Sequence, residues 1–349
     1  MKKLSLADKL AKKSFESDSF QKSWAVHMQA FGPILEPAFV ENYQAKVHLT
    51  AALNNLSRKE ISQAASKLEQ LRKYIETDAD KTAWLFFMGL LNELAGNQEQ
   101  MLACYTYANE YEHRFYLPYM KVAKFHLDGQ LYDRAEENFR AAIRCFDGTG
   151  LDAQAKLLLG SAYTNLATCL TMMHRREEAE AALVTSRTLY PNAPGRAVIE
   201  AILAALSGDR AQADACLALL QSHAPAAVPE IQESVDKIFA QADPHFFPVP
   251  VDDEKIAAFW NWFGSSAADL KQQLDREEYE QAMTAIGEKL LEAFPFLEES
   301  PYLGLGKDDN VYVIELHDLY FVAIHQAYEK LKAACPGEIE ENWQFVLVH

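Results

Sequence analysis

The interval at which small residues return constrains this chain more than any other feature. Gly89 and Ala123 stand 34 positions apart, and so do Ala167 and Ala201. A second series, Ala64, Met101, Ala135, Ala179 and Ala213, keeps pace one helix later. Between residues 39 and 224 proline and glycine are scarce, and apolar residues recur at helical spacing. Small side chains at fixed offsets let two helices approach to about 8–10 Å, while larger neighbours fill the seam. Such a pair buries its remaining apolar face only against the next pair. The expected architecture is therefore a succession of stacked helix pairs.

The clearest copy runs from Ala162 to Pro191. Tyr163, Leu166, Ala167 and Leu170 mark its first helix; Ala179, Leu183, Ser186 and Pro191 mark its second. This pattern resembles the tetratricopeptide repeat (TPR), a 34-residue helix–turn–helix motif. Other copies place Leu85, Met88, Gly89, Met101, Tyr105 and Ala108; then Tyr119, Val122, Ala123, Ala135, Phe139 and Ala142; then Ala201, Gly208, Ala213, Leu217 and Pro225. A degenerate first copy fits Ala51, Ala52, Ala64, Leu68 and Leu71. The two longer spacings are 37 and 44, the second leaving room for a lengthened helix around Asp152 to Gly160. The fold class that follows is mainly α: a TPR-like helical solenoid, then a small α+β domain of helices and a short antiparallel sheet.

The ends of such an array need covers. Residues 229–242, with Ile231, Val235, Ile238 and Phe239 at helical spacing, read as the closing helix. Residues 1–38 form an N-terminal helical segment opened by a capping box, Ser5 with Asp8. Phe31-Gly32-Pro33 breaks its pattern, and the segment either caps the first repeat or lies across the groove. Repeats are assigned to 39–243, a proline-rich linker to 244–251 and the acidic domain to 252–349.

That last domain reads as two helices, a hairpin turning at residues 307–310, a helix and a closing strand. Tyr312, Ile314 and Leu316 share one strand face, and Trp343, Phe345 and Leu347 alternate in the last strand. Its Phe259-Trp260-Asn261-Trp262-Phe263 cluster and closing Asn342-Trp343-Gln344-Phe345 segment are similar to a small bacterial domain family of unknown function. Trp260 and Trp262 are expected in the core rather than in a recognition patch.

Charge narrows the partners. From Pro250 onward, 20 acidic side chains face 7 basic ones, a net of −13 out of −17 for the whole chain. Such a surface repels phosphates and anionic lipid, so neither nucleic acid nor a membrane is an expected partner. The five cysteines are dispersed and form no C-x-x-C pair, which argues against a disulfide framework and a cysteine zinc site. Asp8 and Lys9 interrupt the apolar stretch of the N-terminus, leaving no signal-peptide core. The expected location is cytoplasmic.

Catalytic motifs are missing. Gly304-Leu305-Gly306-Lys307 lacks the length and the following helix of a phosphate loop. Glu315, His317, Asp318 and His325 are the nearest approach to a ligand cluster, but their spacing matches no zinc motif. No enzyme activity, cofactor or metal is expected.

In TPR proteins the first helix of each pair lines the binding groove, and the resemblance assigns that lining to Leu53, Phe86, Phe87, Leu90, Met120, Lys121, Lys124, Asn165, Thr168, Ile199 and Ile202. Of the family's clamp for a peptide carboxylate, Asn165 alone is matched; the other positions fall on Met120, Gly195 and Ile199. The lining is mostly apolar, and an open apolar surface of this extent demands a cover. A protein or peptide partner supplies it, or else the chain's own N-terminal segment or acidic domain does. The function implied is that of a protein-interaction scaffold or adaptor. The alternatives are an enzyme or metal protein centred on Glu315 and His317, and an acidic, immunity-type inhibitor of a basic partner.

Overall fold

The computed structural model describes residues 6–40, 42–111, 115–146, 153–297, 301–308 and 311–349. The chain divides into two compact units, Met1–Cys169 with Val184–Pro191, and Leu170–Leu183 with Asn192–His349. Ser5 of the expected capping box and Asp309 and Asn310 of the expected turn lie outside the described residues.

The first unit opens with α1 (Leu6–Phe15) and α2 (Asp18–Leu35). The backbone of α2 leaves helical geometry at Phe31, with φ −132° and ψ 21°. Pro33, two positions on, has no N–H to return to the preceding turn. The sequence break is a kink rather than an end.

Paired helices follow. They are α3 (Tyr43–Ser57) with α4 (Ile61–Leu71), α5 (Asp78–Ala95) with α6 (Gln98–Tyr111), and α7 (Tyr116–Asp128) with α8 (Tyr132–Arg144). Helix α4 packs on α5 and α6 on α7, so each pair stacks on its successor. Helices α9 (Ala153–Met172) and α10 (Arg176–Leu189) run through both units. The hydroxyls of Thr164 and Ser186 join them at 2.7 Å. In the second unit α11 (Pro194–Leu206) pairs with α12 (Arg210–His223), and α13 (Val228–Phe239) packs on both through Val235 and Ile238.

The small residues that set the period are the contact points. Ala52, Ala64, Ala123, Ala135, Ala167, Ala179 and Ala213 are wholly inaccessible. The turns repeat as well. Lys59, Gly96, Gln130, His174 and Gly208 all have φ between 58° and 78°, one in each pair's inner turn. After each, the next N–H bonds the carbonyl five residues back: Glu60 to Asn55, Asn97 to Asn92, Leu131 to His126, Arg175 to Leu170, Asp209 to Ala204. This is the Schellman closure of a helix, and it recurs with the same spacing as the alanines. The architecture is a TPR-like helical solenoid followed by a small α+β part.

That part comprises α14 (Asp253–Asp275), α15 (Tyr279–Ala293), β1 (Leu303–Asp308), β2 (Val311–His317), α16 (Val322–Ala333), the short α17 (Gly337–Glu340) and β3 (Trp343–Val348). Strands β1 and β2 pair antiparallel, with Leu303 opposite Leu316. Strand β3 pairs parallel to β2, from Tyr312 opposite Trp343 to His317 opposite Val348. The sheet is mixed rather than antiparallel because α16 carries the chain back to the start of β2, making a β–α–β crossover. Trp260 is buried with Phe259, Phe263, Trp343 and Phe345, and its Nε1–H donates to the Leu331 carbonyl at 2.9 Å. Trp262 is partly buried against the same core. Among the described residues, no helix is long and apolar enough to cross a membrane.

Candidate functional site

Helix α2 lies against α3 and α5, the first helices of the first two pairs. Trp24, Met28 and Phe31 share one face of it and border a buried cluster holding Leu49, Leu53, Phe86 and Phe87. The Phe31 ring meets Phe86 at 6.0 Å and Phe87 at 5.4 Å, edge-on in both cases. Leu53, Phe86 and Phe87 are at most 2% exposed. Polar contacts flank this face: Ser23 donates to Asn54 Oδ1 at 3.0 Å, and His27 Nε2 lies 3.0 Å from the same oxygen.

Beyond the chain's bend the N-terminal segment is pinned by Asp80. This buried carboxylate accepts the N–H of Phe39 at one oxygen and those of Glu76 and Thr77 at the other, 3.1 and 3.0 Å away. Thr77 and Asp80 also form the capping box of α5.

Leu90 and Met120 are half-buried, and the basic lining residues are already paired. Lys121 bonds Glu93 at 2.8 Å, and the Tyr105 hydroxyl donates to the same carboxylate at 2.8 Å. Burial opposes ionisation of Glu93. The bonds from Lys121 and Tyr105 outweigh it and hold the carboxyl below its ordinary range. Lys124 is exposed and pairs with Asp128 one turn on, at 3.0 Å. Asn165 and Thr168 are half-buried on α9, where Thr168 donates to the Thr164 carbonyl. In the second unit Ile199 is buried, and Ile202 packs into a cluster with Phe246 and Phe247.

A second arrangement lies in the second unit, at the carboxyl ends of β2 and β3. There Asp318, Tyr320, His325 and His349 line a cavity of about 580 Å³ together with Met173 and His174. Asp318 follows β2, His325 stands in the first turn of α16, and His349 follows β3. The parallel register brings the two strand ends level, and Asp318 N–H donates to the Val348 carbonyl at 2.9 Å. The Asp318 side chain is 1% exposed. Its Oδ1 accepts the Tyr320 N–H at 2.9 Å, and its Oδ2 lies 2.7 Å from His325 Nδ1 and 3.0 Å from His349 Nδ1. Leu319 and Tyr320 both adopt positive φ, 48° and 66°, a costly conformation for consecutive non-glycine residues.

The four residues grouped by sequence thus separate. Glu315 and His317 pair with each other at 3.6 Å on β2, while Asp318 and His325 join His349. His349 lies 31 positions from Asp318, and the parallel pairing of β3 that unites them leaves no mark in local spacing.

The proline-punctuated segment is docked in the same unit. The carbonyls of Pro244 and His245 accept the N–H groups of Ala323 and Val322, satisfying the first turn of α16. The buried His245 ring bonds the Met172 carbonyl at 2.7 Å and stacks on His174.

No protein-family model and no curated protein matches this sequence. The solved structure "MamA MSR-1 C2" is 14% identical, with a TM-score of 0.37, and the match covers 55% of this chain and 99% of that one. "MamA RS-1 ArsTM double mutant" is 17% identical, with a TM-score of 0.39 over 55% and 97%. The stacked pairs and their recurring Schellman turns carry the assignment of the fold.

Proposed function

We propose that the repeats are a protein-interaction scaffold that holds an amphipathic helical segment on the face made by the first helices of the pairs. The observation that supports this is α2 itself. An amphipathic helix with aromatic anchors already lies on that face, with Phe31 against Phe86 and Phe87. Helix-in-groove recognition uses the same apolar anchors, spaced three or four residues apart. Leu53, Phe86 and Phe87 serve the helix of the chain's own N-terminal segment, a cover in cis. Leu90, Met120, Lys121, Lys124, Asn165 and Thr168 are the stretch assigned to a partner in trans. Five cysteines with no disulfide among them support a reducing, cytoplasmic setting.

The test is a photo-crosslinking residue placed at exposed Lys124 of the full chain in its native cells. A discrete protein adduct is expected, and Met120→Asp should lower its yield by about tenfold, the effect of losing one interface anchor. Far-UV circular dichroism should be unchanged. An adduct insensitive to Met120→Asp, or the same products from a probe at Lys289 on α15, would reject the reading.

A further inference from the structure

We infer that Asp318, His325 and His349 form a binding site for a divalent transition-metal ion of the zinc class. Among the described residues these three bring one carboxylate oxygen and two imidazole nitrogens within 4.8 Å of one another. Nitrogen and oxygen donors of this kind suit zinc and its neighbours in the first transition row.

Neighbouring groups orient each donor, as second contacts do for metal ligands. The Tyr320 N–H holds Asp318 Oδ1, which turns Oδ2 towards both imidazoles. His325 presents Nδ1, and its opposite nitrogen lies 3.6 Å from Glu329. The His349 ring stacks with Tyr320 at 5.7 Å and with His325 at 5.4 Å. Bonds of about 2.0–2.2 Å to a tetrahedral ion would set the donor atoms about 3.3 Å apart. The two carboxylate–imidazole distances, 2.7 and 3.0 Å, would open by about 0.6 and about 0.3 Å to reach that spacing, and the two imidazole donors lie within 4.8 Å of each other.

The position of the site agrees with its chemistry. Parallel strands linked by a helical crossover place ligands at their carboxyl ends, and here the residue after β2, the first turn of α16 and the residue after β3 supply one donor each. Three protein donors leave a zinc-class ion with an open coordination position, the pattern of reactive rather than closed structural sites. The 580 Å³ cavity, with His174, Tyr320 and Gln326 in its wall, gives a small oxygen- or nitrogen-bearing ligand room to fill that position. The site is independent of the groove proposed above.

The experiment uses the full chain stripped with a chelator, dialysed against Zn2+ and freed of excess ion. Retention of one equivalent per chain by elemental analysis is expected, with a visible ligand-field spectrum when Co2+ replaces Zn2+. His349→Ala alters a side chain that is 63% exposed. It and His325→Ala should each weaken Zn2+ binding by about 100-fold or more, because disturbing even a ligand's outer partner costs about 10–100-fold. His317→Ala, at the last residue of β2, should leave binding unchanged. Substoichiometric zinc in the folded native chain would overturn the assignment, as would retention equal in the native chain, His325→Ala and His349→Ala.

Discussion

A methyl group added at Gly89 would fall 2.5 Å from Cε1 of Tyr105, a ring with no exposure and with its hydroxyl tied to Glu93. Alanine is the better helix former by up to about 1 kcal/mol, but overpacking a closed seam costs about 1–3 kcal/mol. Gly89→Ala should therefore destabilise the protein by about 1–2 kcal/mol in urea unfolding. An increase in stability would show that the Tyr105 ring yields. The period of such residues was legible in the sequence because each small side chain answers a packing demand that no large one meets. The recurring turn was not. Its left-handed position holds glycine at 96 and 208 but Lys59, Gln130 and His174 elsewhere, because the two closing hydrogen bonds hold even a residue with a side chain in that conformation. At the second site, Asp318 and His325 stood out by type, whereas His349 gave no signal before the strands were paired.

Elements were readable to the extent that their signals are local. The helices of the repeats and the three strands follow from periodicity, and the break at Phe31-Gly32-Pro33 from composition. The seat of α2 on α3 and α5, and the parallel direction of β3, depend on contacts distant along the chain. The first of these has an anchor that can be tested. Phe39, with φ of 53°, is held in its left-handed conformation while Asp80 receives its N–H. Asn at position 80 would keep one acceptor oxygen and turn an NH2 group towards at least one of the three N–H donors now satisfied. Hydrogen bonds to a charged group contribute about 1.5–3 kcal/mol. Asp80→Asn should cost about 2–3 kcal/mol and lower hydrogen-exchange protection in α2 more than in α7 and α8. Uniform loss of protection across these helices would show that Asp80 supports the repeats generally rather than the N-terminal segment.

Charge belongs to the whole molecule. With 50 acidic and 33 basic side chains the protein repels itself at neutrality, and its isoelectric point lies near pH 5.0. Mild acid relieves that repulsion, which on its own raises stability. His245 acts in the opposite sense. Burial is the main cause, and His174 stacked on it adds to the effect; together they outweigh the bond to the Met172 carbonyl and push the imidazole down to about 4 from an ordinary 6.5. Above 6.5 neither the folded nor the unfolded chain holds the proton. Between 6.5 and 4 the unfolded chain takes it up and the folded chain does not, so stability falls as the pH is lowered through this window. At about pH 5.5 the loss from this one group is about 1.4 kcal/mol. Asp243 accepts the backbone N–H of His245 at 3.0 Å. Gln at position 245 retains an amide donor for the Met172 carbonyl and cannot titrate. In urea unfolding at about pH 7.5 and about pH 5.5, the native protein should lose about 1 kcal/mol more than His245→Gln between the two conditions. Parallel pH dependence in the two proteins would mean that His245 takes up its proton as readily folded as unfolded, and would overturn the role given to its burial.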